Sequence, residues 1–309
     1  MGELLCKGIV NKHGRIYAVM EDGVGIPFEL FGKEGSPAAV LIPGGKLGMD
    51  AERDRAKDLA RRGYRTLIYD RRNTCTADCG YGDGSKHEIQ MQVEDMLALL
   101  RYLKLAPAVL IGESSGARLC ILFALDHPSA VTSLVLFNLT GGTRAAELLS
   151  HWYHHQYVEL AEKGGMEAVC DTMWAESMIQ HNPDVRMQLL QTPLRVFLKV
   201  QQDTGDLLLN TGEYPTLGVS GEMLYKLNCP VKLMWTCLWM GFFDGMHRRD
   251  VMETVAECIP QSGELYVAGS MWGDPDHITH KMVKFMNQTC NLVPVTPRTI
   301  SDNGEQYCC

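Results

Sequence analysis

Short apolar runs recur along the first half of the chain: Ala38–Ile42, Arg65–Tyr69, Ala108–Ile111 and Val131–Phe137. Runs of this length, bounded by glycine, proline and polar residues, predict buried strands. Between them the apolar residues return with helical spacing. Asp50–Arg62 reads as a helix, with Asp50 as N-cap and Gly63 as its stop. Ile89–Leu103 carries a stripe of Met91, Val93, Met96, Leu97, Leu99 and Leu100, and Ala117–Leu125 has the same periodicity. At the N-terminus, Gly8–Ala18 and Ile26–Phe31 read as short strands around a Glu21-Asp22-Gly23 turn. Strands that alternate with helices predict an α/β fold, with a mostly parallel central sheet flanked by helices on both faces.

The alternation stops after Val131–Phe137, the sixth strand on this reading. From residue 141 to 226 there is no strand pattern, only helical stretches rich in large side chains such as Trp152, Tyr157, Met173, Trp174, Leu189 and Phe197. A helical insert between two strands reads as a cap. The sheet pattern resumes at Val231–Trp235, followed by a helix over Arg248–Cys258, a strand over Glu264–Val267 and a helix over His277–Cys290. The expected organisation is therefore a core of residues 1–140 and 227–295, a helical cap of 141–226, and a polar, mobile tail of 296–309.

Composition narrows the function classes. The 309 residues are 46% hydrophobic, enough for a sizeable core. A formal net charge of -8, with no basic run, argues against a nucleic-acid partner. No apolar stretch approaches the length of a transmembrane helix. The start, Met1-Gly2-Glu3-Leu4-Leu5-Cys6, lacks the apolar core of a signal peptide, so a cytoplasmic, reducing setting is expected. In that setting most of the 11 cysteines are free thiols. Cys75 and Cys79 have no second pair or histidine at zinc-site spacing, and no metal or other cofactor is expected. The chain ends Cys308-Cys309, which resembles a doubly prenylated tail. A lipid anchor there and an exposed, unmodified tail both stay open. The sequence carries no signal for oligomeric state.

The chemistry centres on Gly112-Glu113-Ser114-Ser115-Gly116, which joins an apolar strand to an apolar-periodic helix. Strand, sharp turn and helix are the context of a nucleophile elbow, in which the central serine projects its hydroxyl above the sheet edge. The crowded turn favours glycine two residues before and two after it. A serine hydroxyl becomes a useful nucleophile only when a base takes its proton, and the base is a histidine oriented by a carboxylate.

This elbow, the strand-end Pro43-Gly44-Gly45, the Asp70-Arg71-Arg72-Asn73 turn and the position of the insert together resemble the α/β-hydrolases. The resemblance extends over residues 13 to 290 and is nearest to the capped serine esterases and carbon–carbon hydrolases. It implies the chain order Ser, Asp, His. The strand before the cap ends in Asn138, which cannot act as an ionised acid. After the cap, Asp244 falls where the family places its carboxylate, with Asp250 a rival better explained as a first-turn residue of the Arg248 helix. The base should follow the last strand, which leaves His277 and, one turn deeper, His280. His247 shares the loop of Asp244 and ranks below His277 and His280 as the partner of Ser114. The oxyanion donors implied are the amides of Ser115 and Gly45. Cys75 stands where the family has glycine, and Asp70 and Arg71 are expected to brace the loops.

The resemblance thus implies a serine hydrolase acting on a small apolar substrate, with catalytic Ser114, Asp244 and His277. Serine at the elbow, in place of aspartate, argues against epoxide hydrolysis and dehalogenation. Two alternatives remain: carbon–carbon bond or thioester hydrolysis by the same triad, and a ligand receptor of low turnover on the same fold.

Overall fold

The computed structural model describes residues 6–236, 245–268 and 275–290. The strands are β1 (Gly8–Lys12), β2 (Arg15–Val19), β3 (Gly25–Phe31), β4 (Ala38–Ile42), β5 (Arg65–Tyr69), β6 (Ala108–Glu113), β7 (Val131–Phe137), β8 (Val231–Trp235) and β9 (Tyr266–Val267). The helices of the first half are α1 (Arg53–Arg61), α2 (Glu88–Tyr102) and α3 (Ser115–Asp126). After β7 come α4 (Thr143–Ser150), α5 (Gln156–Cys170), α6 (Met173–His181), α7 (Asp184–Gln191), α8 (Leu194–Leu209) and α9 (Gly221–Tyr225). The last two helices are α10 (Arg249–Cys258) and α11 (Pro275–Thr289). The chain forms two compact units, Met1–Ala106 with Ala146–Asn210, and Pro107–Ala145 with Thr211–Cys309.

In the first unit the strand order is β1-β2-β3-β5-β4. Strands β1, β2, β3 and β5 pair antiparallel, and β4 pairs parallel with β5. The N-terminal stretch expected as one strand is a hairpin. His13 (φ 52°) and Gly14 (φ 73°) both take left-handed backbone, as a two-residue hairpin turn requires, and Lys12 pairs with Arg15. This extra strand makes β7 the seventh, so the helical region that follows it comes one strand later in the count than expected. Helix α1 is preceded by a tighter turn at Met49–Glu52, and Asp50 does not cap it; its carboxylate binds Arg53 instead. Gly63 (φ 94°) ends the segment as expected. Strands β4 and β5 are buried on both faces, whereas β1 is an exposed edge.

The large side chains of the helical region divide into two sets. Tyr157, Met178, Leu189 and Phe197 are buried with Val169, Val200 and Met91 in one apolar cluster. Trp152 and Met173 remain exposed. The aromatic and methionine content of this stretch is therefore mainly the helices' own core.

The second unit holds β6-β7-β8-β9 in that order, all parallel. Every residue of β6 before Glu113 is buried, as are Leu134, Val135, Leu136 and Phe137 of β7. The run of buried branched residues is what a parallel strand covered on both faces needs. The C-terminal ends of β6, β7 and β8 carry the chemistry described next.

Candidate active site

Ser114 lies between the end of β6 and the first residue of α3. Its backbone (φ 54°, ψ -117°) is in a region that a non-glycine residue rarely adopts. Two bonds hold it there. The Ser114 amide donates to the Phe137 carbonyl at the end of β7 (3.0 Å), and the Ser114 carbonyl accepts from the Arg118 amide (3.1 Å) as α3 begins. Such strain persists only where the surroundings over-determine it. Gly112 explains how the turn closes. A Cβ at that position would lie 2.5 Å from the Gly116 carbonyl oxygen and 2.6 Å from the Ala117 nitrogen, so strand and helix pass too closely for any side chain. The Ser115 amide is the first of α3, at the positive end of the helix dipole.

The imidazole of His247 reaches this serine. Its Nε2 is 2.8 Å from Ser114 Oγ, and both residues are half-buried. Ranked below His277 and His280 on sequence, His247 is the histidine hydrogen-bonded to Ser114 among the described residues. His247 lies twelve residues beyond Trp235, the last residue of β8. The Trp235 indole Nε1 donates to the His247 carbonyl (3.0 Å), which ties position 247 to the end of that strand. With its proton on Nδ1, His247 presents Nε2 as the acceptor for the serine hydroxyl.

Asn138 joins the ends of three strands. It sits just past β7 with left-handed backbone (φ 46°). Its Oδ1 accepts from the Thr236 amide (2.9 Å), its Nδ2 donates to Thr236 Oγ1 (2.9 Å), and Glu113 Oε1 lies 3.4 Å from the same nitrogen. Asparagine can supply a donor and an acceptor together, which an ionised aspartate cannot. Asn138 is therefore a clamp beside Ser114.

The other sequence-assigned residues fall as follows. His277 lies in the first turn of α11, exposed, with its ring centroid 6.0 Å from that of Tyr266. His280 is also exposed. Among the described residues, Ser114 Oγ is hydrogen-bonded to His247 and to neither of these two. Asp244 lies outside the described residues. Asp250 forms an exposed ion pair with Arg248, whose hydrogen bonds hold its carboxyl below the ordinary range. That is the first-turn role expected of it.

Gly45 belongs to the first unit. It has left-handed backbone (φ 52°), and its carbonyl accepts from Arg71 Nη2 (2.6 Å). Asp70 accepts from the Met49 amide (2.6 Å) and the Thr76 amide (3.0 Å), so this pair does brace its loops. Cys75 takes a left-handed φ of 45°, the conformation that glycine normally serves. Burial and the nearby Asp70 carboxylate push its thiol up to about 11. All eight described cysteines are free. Among the described residues no group of His, Cys, Asp and Glu could hold a metal ion, and no helix is long and apolar enough to cross a membrane. Cys308 and Cys309 lie outside the described residues.

His247 is the residue that sequence reasoning ranked too low. The available signal was its position: it directly precedes Arg248 and α10, in a loop leaving the C-terminal end of a parallel strand, where sites in such sheets cluster.

Residues 37–164 match a family profile described as alpha/beta hydrolase fold. Solved structures resemble the chain over nearly its whole length. A thermophilic esterase from Thermogutta terrifontis superposes with a TM-score of 0.59 at 18% identity, covering 89% of this chain and 98% of that one. The enol-lactonase from Burkholderia xenovorans LB400 gives 0.58 at 17%, covering 88% and 99%. A meta-cleavage product hydrolase from Pseudomonas fluorescens IP01 gives 0.60 at 16%, covering 92% and 98%. No curated protein matches by sequence.

Proposed function

Because this chain carries the α/β-hydrolase fold, we propose that it is a serine hydrolase cleaving an ester-like bond of a small, largely apolar substrate. The observation that carries the reading is the 2.8 Å contact between His247 Nε2 and the hydroxyl of a serine held at a strained strand-to-helix turn. Ser114 Oγ attacks the carbonyl carbon while His247 Nε2 takes its proton. The tetrahedral oxyanion is met by the Ser115 amide at the start of α3. The second donor stays the one the family pattern assigns, the amide of Gly45. The imidazolium then protonates the leaving group, and water, deprotonated by the same nitrogen, cleaves the acyl-enzyme. We assign His247 as the base in preference to His277 and His280. Asp244, three residues before His247, remains the carboxylate assigned to orient it. Residues 141–226 are assigned as the cap.

Structural relatives that include an esterase, a lactonase and a carbon–carbon hydrolase support a hydrolase. A fluorophosphonate probe tests the reading. It should label the native protein and leave Ser114→Ala and His247→Ala unlabelled; absence of labelling on the native protein would leave a binding protein on this fold. Turnover of p-nitrophenyl esters of graded chain length, set beside a lactone and a vinylogous diketone, then identifies the bond.

A further inference from the structure

Lys46 follows Gly45 in the loop after β4. Its ammonium is buried, and among the described residues it makes no hydrogen bond. Three aromatic rings surround it instead. Their centroids lie 4.3 Å (Trp174), 5.3 Å (Tyr157) and 5.9 Å (Tyr153) from Nζ. Trp174 is on α6 and Tyr157 on α5. Tyr153 is carried by a single turn of π-helix, His151–His155, between α4 and α5. Turns of this kind are rare and recur at functional sites.

The rings attract the cation through their π faces, but they offer its N–H groups no oxygen acceptor. Burial lowers the proton affinity of the amine, with Glu88 opposing that shift and Arg71 adding to it. The charges that face Lys46 do not neutralise it. Glu88 forms no ion pair with it; Glu88 Oε1 accepts from Gln92 Nε2 (3.3 Å), and Oε2 is buried without a hydrogen bond. Arg71 is a second buried cation, and its effect on Lys46 is smaller than that of Glu88. The Cys79 thiol and the Tyr157 phenol are both pushed up by burial and stay neutral at pH 7. A buried ammonium whose three donors are unused, and whose facing carboxylate at Glu88 is out of ion-pair contact, is stable only at a cost to the fold.

We propose that Lys46, with Tyr153, Tyr157 and Trp174, forms a binding site for a small organic carboxylate carrying an apolar or aromatic body. The carboxylate would take the lysine N–H donors as charge-assisted hydrogen bonds. The body would pack against the rings, which also hold the ammonium in place when the site is empty. The competing account, a lysine that only ties the helices together through its rings, predicts no ligand. Every residue of the site belongs to the first unit; Lys46 follows Gly45, and the Tyr153 hydroxyl would lie 3.0 Å from a Cβ at Gly45, so the site adjoins the proposed second oxyanion donor.

The test uses the full-length Ser114→Ala protein, so that turnover cannot intervene, with phenylacetate and its neutral isostere phenylacetamide as probes. Titration calorimetry and tryptophan fluorescence should show phenylacetate binding at least tenfold tighter than the amide. Adding Lys46→Met should abolish that preference, Lys46→Arg should retain part of it, and Trp174→Phe should remove the fluorescence response. Equal affinity for acid and amide, or no binding of the acid, overturns the inference without recourse to any Lys46 variant. An acid preference that survives Lys46→Met in a protein with native circular dichroism overturns it equally. None of these outcomes bears on fluorophosphonate labelling of Ser114, so the two readings fail separately.

Discussion

His247→Ala is the most decisive substitution at the proposed site. The imidazole lies 2.8 Å from Ser114 Oγ, within the reach needed for direct proton transfer. Removing a positioned general base costs about 10²–10⁴ in rate, so a loss of about 10³ in kcat/KM is expected, equivalent to about 4 kcal/mol of transition-state stabilisation. The fold should survive. The ring is only half-buried, and the His247 carbonyl that accepts from Trp235 at 3.0 Å is untouched by the change. Ser114→Ala should cost about as much, and the double variant should lose little more, because the two groups act as a unit. His277→Ala should change the rate less than about twofold, since its exposed ring makes its described contact with Tyr266. The assay is hydrolysis of a p-nitrophenyl ester across pH. The native rate should rise with pH as the imidazole sheds its proton, and that limb should vanish in His247→Ala. A His247→Ala protein with full activity, alongside an inactive His277→Ala or His280→Ala, would refute the assignment.

Three further outcomes follow from the geometry. Gly112→Ala drives a methyl to within 2.5 Å of the Gly116 carbonyl oxygen, so it should cost more than ~3 kcal/mol in urea unfolding and abolish probe labelling. Asn138→Ala removes two 2.9 Å bonds to Thr236 from a residue with left-handed backbone; a loss of about 2 kcal/mol in chemical denaturation is expected, with a lowered labelling rate because the clamp borders the nucleophile. Lys46→Met should raise the melting temperature at neutral pH. The folded amine titrates below its unfolded value of 10.5, mainly through desolvation, with Glu88 opposing the shift and Arg71 reinforcing it. The folded protein therefore binds fewer protons than the unfolded chain between the lowered value and 10.5, and native stability rises with pH through that window. The gap between variant and native protein should narrow there; a gap that widens would contradict the burial of a charged amine.

The alternation of strand and helix was legible because each apolar run is bounded by its own punctuation. Gly63 closes the α1 segment, and the elbow glycines separate β6 from α3. The hairpin at His13-Gly14 was less legible, because the left-handed backbone at His13 is set by pairing of Lys12 with Arg15 and leaves no composition signal. Asp50 illustrates a second kind of loss. It has the residue type of a cap, but Arg53 and Arg15 compete for its carboxylate. The elbow was readable for a steric reason that acts within five residues. The histidine partner of Ser114 was not, since it lies 133 residues away in sequence. Periodicity says nothing about a contact at that separation.

The Ser114–His247 contact has a physical basis in the strand ends. Trp235 is the last residue of β8, and its indole donates to the His247 carbonyl, which ties position 247 to the end of that strand. Thr236, the next residue, is held by both ends of the Asn138 side chain, and Asn138 in turn follows the Phe137 carbonyl that accepts the Ser114 amide. The serine and its histidine are thus referred to the same two strands, β7 and β8, through hydrogen bonds of 2.9–3.0 Å. In the proposed mechanism 1 Å of misplacement of the base costs about 10²-fold in rate, and the Trp235–His247 bond holds the backbone of that residue. The same arrangement accounts for asparagine in place of an acid at position 138: a carboxylate there would repel Glu113 and could not donate to Thr236, and the reference frame of the site would be lost.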